Sequence, residues 1–422
     1  MAIPLITYDD YSYSSKNIDE LLKFQDPIGA FETRIDPKDI CIKVPKKINE
    51  NKLLLNVPVG VKDIFLTSDM PTRYGIKLIP QSTQNIDSII VSRLKSAGAI
   101  IVGKTVTTEC AFGASGKTRN PHDLSRTPGG SSSGSAAAVS ARQVPLAVGS
   151  QTSGSIIRPA GYCGVWAIKP SYGCIPRTGM LELSKSFDHP GFFASNVEFI
   201  ARAIDSTSGC DSKDPASKGI EQTNILSNLH AKRSTPRLIF LKPYFWHALD
   251  KVTRDSFEKI RNNFCTDEIF LDESYENLEK IHNTIVFFES SRNLKKFFKN
   301  KSFEVSDFLM DRIALGLAIS EDDYKFATAE IKLMNKKIIE LFEGYDGIIT
   351  PGTLGDAPKG LKYTGSRVPM IPASTFGLPV INWPIVKSEN KLPVGLQIIG
   401  LPRFDSELVI TAKWLESNYT SL

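Results

Sequence analysis

Histidine is scarce in this sequence, and so is cysteine. The five histidines, His122, His189, His230, His247 and His282, are scattered over 422 residues. None lies in a GxSxG or comparable setting, so a nucleophile activated by histidine has no sequence support. The six cysteines, Cys41, Cys110, Cys163, Cys174, Cys210 and Cys265, form no CxxC pair and no close framework. That excludes a disulfide-stapled mini-domain and leaves reduced thiols. No apolar run reaches the ~18 residues of a membrane helix, and the opening MAIPLITYDDYSYSSK lacks a basic stretch followed by an apolar one. A cytoplasmic protein with no membrane role is expected. Neither sign of charge dominates: 51 Lys and Arg face 46 Asp and Glu, a net +5. Because the basic residues lie among acids and not in a stripe, no nucleic-acid partner is expected.

What is present is an ordinary globular composition, 41% hydrophobic and 23% charged, enough for a large core. The first sixty residues read as short polar helical segments leading into LLLNVPVGVKD, an apolar strand that delivers Lys62 at its end. From Asn85, Ile86, Ile89, Ile90 and Leu94 recur at helical spacing, Gly98 stops the helix and AIIV follows as a strand. Between Arg126 and Ser155 the chain is crowded with Gly, Ser, Ala and Thr; a helix, GSAAAVSA, precedes a strand, PLAVG. From about Lys232 to Phe342, segments such as DKVTRDSFEKIRNNF and DDYKFATAEIKLMNKKIIELF predict a helical layer. GIIT, PVINWPI and GLQIIG then return as strands before an amphipathic helix near SELVITAKWLE. This alternation predicts an α/β architecture with a covered sheet. No internal repeat is found.

The chemistry concentrates in three stretches: GVKD around Lys62, RTPGGSSSGSAAAV around Ser131, and SQTSGSIIRPAGYCG around Ser155. A serine hydroxyl is a weak nucleophile until a base takes its proton, and lysine is the available substitute for histidine. With a reference pKa of about 10.4, lysine is neutral near pH 7 only if desolvated, and an apolar strand provides that setting. Four successive residues, Thr152 to Ser155, sit in a tight turn whose backbone N–H groups can stabilise an oxyanion.

These stretches, together with GKTVTTECAFG, AIKPSYGCIPRTGM, STFGLPVINWP and LPVGLQIIG, resemble the amidase signature family from about Val57 onward, in particular its malonamidase-like members. The resemblance implies a single α/β/α domain over residues 1–422 with a large mixed sheet: a signature core at about 57–200, a helical variable region at about 232–342 and core strands at about 346–422. It implies a catalytic triad in which neutral Lys62 deprotonates Ser131, Ser131 deprotonates Ser155, and Ser155 forms an acyl-enzyme. It implies that the Gly130–Ser131 peptide is cis, that Thr152, Ser153 and Gly154 form the oxyanion hole, and that no metal or organic cofactor is used. A small-molecule amide substrate and a homodimer are expected. Two alternatives stand beside free-standing hydrolysis: the glutaminase-like subunit of a tRNA-dependent amidotransferase, and a degenerate binding scaffold.

The wording also departs from the family. Gln151 and Ser153 replace the usual Asp and Gly, and Ser153 is expected to narrow the hole. Arg158 lies three residues after Ser155 instead of two; it is either a clamp for a substrate carboxylate or a structural ion pair. Gln151, Gly129 and Gly130 complete the candidate substrate-binding set. Asp188 and His189 fall where the family has a structural acid, Ser132 and Ser133 are hydrogen-bonding supports, and Cys163 is a core position. Taken alone, GGSSSGS is what a linker looks like. GAIIVGKT matches the phosphate-loop pattern letter for letter, but its AIIV is itself a strand, which a loop wrapping phosphate cannot be.

Overall fold

A computed structural model describes residues 26–36, 52–76, 85–270, 276–299 and 303–419. Its strands, in chain order, are β1 (Phe31–Arg34), β2 (Pro58–Lys62), β3 (Ile100–Thr105), β4 (Leu146–Gln151), β5 (Trp166–Lys169), β6 (His189–Ala194), β7 (Leu238–Lys242), β8 (Cys265–Phe270), β9 (Gly347–Pro351), β10 (Val380–Asn382), β11 (Val386–Lys387), β12 (Pro393–Val394) and β13 (Leu396–Ile399). Eleven of them form one sheet in the order β1-β3-β2-β4-β6-β5-β10-β13-β9-β7-β8, and β11 pairs with β12 separately. The sheet is mixed. β2 runs parallel to β3 and β4, whereas β6, β5, β10 and β13 are joined by antiparallel ladders.

Successive strand residues face opposite sides, and here both sides are apolar. Leu146, Val148, Ile168, Phe192, Phe240, Ile349 and Ile398 belong to one buried cluster. Their neighbours Ala147, Ala167, Phe193, Ile239, Ile348 and Ile399 belong to the other. The sheet is therefore the middle of three layers, an α/β/α fold.

The first cluster is covered by α1 (Ile89–Ser96), α4 (Val197–Thr207), α5 (Lys251–Phe264) and α10 (Asp405–Asn418). The second is covered by α2 (Ser133–Ser140) and α3 (Ile157–Cys163). Three further helices, α6 (Glu276–Phe298), α7 (Asp307–Leu317) and α8 (Glu321–Glu340), pack on one another, and α9 (Ile371–Thr375) meets α6. Side-chain caps start several of these: Asn196 accepts from Phe199 N, Asp250 from Thr253 N and Ser306 from Leu309 N.

Two expectations need correction. The stretch from Lys232 to Phe342 is not helical throughout, since β7 and β8 extend the main sheet at its edge. β8 carries the exposed charges Asp267 and Glu268 in CTDEIF, a composition that protects a sheet edge and hides a strand from pattern reading. Of the first sixty residues, those expected as short helices at 1–25 and 37–51 lie outside the described residues. Within 26–36 the chain forms β1, antiparallel to β3.

Small residues bring α2 close to the sheet. A Cβ on Gly134 would lie 2.2 Å from Ala30 O and 2.3 Å from Val106 N, so only glycine fits there. The serines of the same stretch bond to backbone. Ser132 Oγ donates to Ser150 O, Ser133 Oγ to Val106 O and Ser135 Oγ to Val148 O. The Gly/Ser block is thus a clip fixing α2 to β3 and β4, not a linker. The phosphate-loop lookalike is β3 itself: Lys104 is buried and its Nζ pairs with Asp63 at 2.9 Å and donates to Phe65 O and Thr72 Oγ1.

Candidate active site

Parallel pairing of β2 and β4 brings their carboxyl ends, Lys62 and Gln151, to the same margin of the sheet. Lys62 is fully buried. Its Nζ lies 2.6 Å from Ser131 Oγ and donates to Ser150 Oγ at 2.8 Å. Burial pushes its pKa well below the ordinary lysine value; the nearby Asp188 charge opposes that shift and Arg158 adds to it. Lysine in this state can accept a proton at neutral pH. Ser131 follows a cis Gly130–Ser131 peptide, as expected from the resemblance.

After β4 the chain turns through Thr152, Ser153, Gly154 and Ser155 into α3. Among the described residues, the N–H groups of these four donate to no backbone or side-chain oxygen. The turn is instead held by its other atoms. Thr152 Oγ1 donates to Asp188 Oδ1 at 2.6 Å, and Asp188 Oδ2 accepts from Leu183 N and Ser184 N. Burial raises the Asp188 carboxyl to about 6, against the pull of those three bonds. Ser374 Oγ donates to Ser153 O, and Gln151 Nε2 donates to Ser374 Oγ.

Ser153 Oγ lies 2.8 Å from His282 Nε2, and His282 Nδ1 lies 2.9 Å from Thr375 Oγ1. The Thr375 hydroxyl spends its one proton on Ile371 O. Nδ1 is therefore the protonated nitrogen, and Nε2 accepts from Ser153. Burial lowers the His282 pKa to about 3, so the ring stays neutral. The Ser153 hydroxyl, expected to narrow the turn, is thus committed to His282.

The substrate-binding candidates part company. Gln151 is buried and braces the turn: its Oε1 accepts from Ile156 N and Ile157 N at the start of α3. It does not line the cavity described below, and neither do Gly129 and Gly130. At Gly129, φ is +84°, and a Cβ would fall 2.9 Å from Pro159 Cα. Arg158 makes no ion pair among the described residues. Its Nε and Nη2 donate to Gly130 O at 3.1 and 2.6 Å, and its Nη1 to Gly365 O. It holds the peptide that carries Ser131, and it also reaches the cavity. Cys163 is buried, with its thiol pKa raised by desolvation, and His189 is buried with Nδ1 on Phe187 O; neither faces the cavity.

That cavity, of about 680 Å³, is walled on one side by Ser131, Thr152, Ser153, Ser155 and Arg158. It is also lined by Glu279 and Val286 of α6, Phe308 and Arg312 of α7, and the segment 361–367. Ser150, His282, Arg312 and Arg367 are site residues that sequence reasoning missed. Ser150 was within reach: period-two alternation along β4 puts it on the same face as Val148, beside β2. His282, Arg312 and Arg367 lie in helical or loop stretches with no local signal.

Residues 38–409 match the family described as Amidase. A glutamyl-tRNA(Gln) amidotransferase subunit of Listeria welshimeri is 30% identical over 433 residues, covering 92% of this chain and 89% of the relative. Among solved structures, the corresponding glutamyl-tRNA(Gln) amidotransferase subunit of Thermotoga maritima superposes with a TM-score of 0.80 at 27% identity, covering 96% of this chain and 91% of that one. The native peptide amidase of Stenotrophomonas maltophilia gives a TM-score of 0.80 at 23% identity, covering 96% and 92%. The last likeness is one of fold alone.

Proposed function

The chain belongs to the amidase family and is a hydrolase of amide C–N bonds; from that premise we propose that it cleaves a small carboxylic amide to a carboxylate and ammonia or an amine, through an acyl-enzyme on Ser155. The observation that carries this reading is the buried 2.6 Å contact between Lys62 Nζ and Ser131 Oγ beside the Ser155 turn. Neutral Lys62 takes the Ser131 proton, Ser131 takes that of Ser155, and Ser155 Oγ attacks the carbonyl carbon. The N–H groups from Thr152 to Ser155 receive the developing oxyanion, where losing one donor costs roughly 10²- to 10³-fold in rate. The proton then returns through Ser131 to the departing nitrogen, and water, deprotonated by the same relay, releases the acid.

The substrate is a free small molecule in this reading, the protein is cytoplasmic, and no nucleic acid takes part. Among the described residues no helix is long and apolar enough to cross a membrane. The test is mass-spectrometric mapping of fluorophosphonate adducts. Labelling at Ser155, lost in Ser155→Ala and Lys62→Ala, is the expected result; absence of labelling in folded protein defeats the reading.

A second reading is favoured by the relatives themselves, several of which are amidotransferase subunits. The chain spans 89% of such a relative, so length does not argue against a glutaminase-like role within a larger complex. The wording around the nucleophile does, because Gln151 and Ser153 replace Asp and Gly. Glutamine-dependent ammonia release that requires a co-purifying partner would establish this second reading.

A further inference from the structure

The lining of the cavity carries more positive charge than amide hydrolysis uses. Arg158, Arg312, Lys362 and Arg367 line it, and Glu279 is the single acidic residue among the lining groups. Among the described residues none of the three guanidinium groups has a carboxylate at ion-pair distance; their contacts are of other kinds. Arg312 lies over the rings of Phe112, Phe287 and Phe308, at 4.3, 4.8 and 5.5 Å from the centroids, and its buried Nε has no hydrogen-bond partner. Arg367 Nη2 donates to Asn283 Oδ1 at 3.1 Å. Arg158 is held by carbonyl oxygens.

Like charges gathered in a partly desolvated cleft repel one another unless a counter-charge joins them. Burial, and then the neighbouring Arg367, lower the pKa of Arg312 to about 10. Burial lowers that of Arg158 to about 10, with Arg367 and Arg312 adding to the shift and Tyr162 opposing it. Glu279 is the charge that favours the cation at Arg367. All three remain cationic at neutral pH.

We propose that Arg312 and Arg367 form an anion subsite of the cavity, so that the substrate is an amide bearing a carboxylate at the end remote from the scissile bond. This deepens the hydrolase reading and rests on it. A planar guanidinium presents paired N–H donors that match a carboxylate's two oxygens. Stacking on Phe112, Phe287 and Phe308 fixes the plane of Arg312 before the ligand arrives, which reduces the ordering cost of binding. Lys362, exposed near the cavity, attracts the anion at longer range. A zwitterion fits the wall less well than a simple carboxylate, because its ammonium has only Glu279 to meet.

The test compares three amides of one length on the purified full chain: glutaramate, valeramide, in which a methyl group replaces the carboxylate, and glutamine, which adds an ammonium to glutaramate. The expected kcat/KM for glutaramate exceeds that for valeramide by at least about 30-fold and that for glutamine by at least about tenfold. Arg312→Met and Arg367→Met should each shrink the glutaramate-to-valeramide ratio by about tenfold or more, chiefly through KM, whereas Glu279→Gln should enlarge it.

A ratio near one in the unmodified protein, a ratio retained in both arginine variants, or a preference for glutamine overturns the proposal. Calorimetric binding of glutarate, with Arg312→Met and Arg367→Met alongside, separates the two ideas. Glutarate binding that depends on the arginines, in a protein that hydrolyses none of the three amides, keeps the subsite and removes the hydrolase reading. Amide hydrolysis without such binding does the reverse.

Discussion

The two walls of the cavity are built on opposite plans. The strand wall, which carries Lys62, Ser131 and the Ser155 turn, is built around the buried Lys62 and Arg158 mostly from serine, threonine and glycine, and Ser131, Ser135 and Ser153 are fixed by hydrogen bonds to backbone or to another side chain. The helical wall carries Arg312, Phe308 and Glu279 on long side chains, of which Phe308 is half exposed at 53%. Chemistry needs atoms held to a fraction of an ångström, and dense packing around small residues provides that. Selection among substrates needs reach and charge, which long side chains on a helix surface provide. His282 joins the walls: it belongs to α6 yet bonds to Ser153 of the turn.

Substitutions in the strand wall should therefore act on turnover, and those in the helical wall on substrate choice. The largest effect is expected from Ser155→Ala or Lys62→Met, which should lower kcat by about 10⁴-fold or more while binding of glutarate in calorimetry stays measurable. Lys104→Met leaves Asp63 buried and unpaired; breaking such a pair costs about 3–5 kcal/mol, to be read as a lower denaturation midpoint at unchanged denaturant slope. His282→Ala removes the acceptor that holds the Ser153 hydroxyl. Since small misplacements of a reacting group cost up to about 10²-fold, kcat should fall by that order with KM nearly constant; a change confined to KM would place His282 with the helical wall instead.

The smallest effects are shifts of the acid limb of the pH–rate profile. In the proposed relay Lys62 acts as the neutral base, so kcat/KM is expected to rise with pH through its pKa. The Asp188 charge raises that pKa and the Arg158 charge lowers it. Asp188→Asn should consequently move the limb to lower pH and Arg158→Met to higher pH, and shifts of the same sign would break the electrostatic account.

Much of the strand wall was legible in the sequence. GVKD, GGSSSGS and TSGS are local strings whose residue types state their own chemistry, and period-two alternation places them on strands. The helical wall was not legible. Arg312, Arg367 and Glu279 converge only through the packing of α6 and α7 against the segment 361–367, and no short window contains that information. Arg158 shows the same limit from the other side: its spacing from Ser155 was visible, but its attachment to Gly130 O depends on a contact across 28 positions. β8 escaped because its exposed charges, Asp267 and Glu268, read as a continuation of the charged helical stretches on either side.

The brace on the nucleophile turn sets an order of events during synthesis. Ser374 Oγ donates to Ser153 O across 221 positions. At roughly 5–20 residues per second, a ribosome takes on the order of ten to forty seconds to cover that interval. Throughout it the nascent chain already contains every member of the proposed triad while the turn lacks its brace. A polypeptide that stops short of Ser374 is therefore expected to carry the signature residues and remain inert, so that amide cleavage begins only when nearly all of the domain has been made.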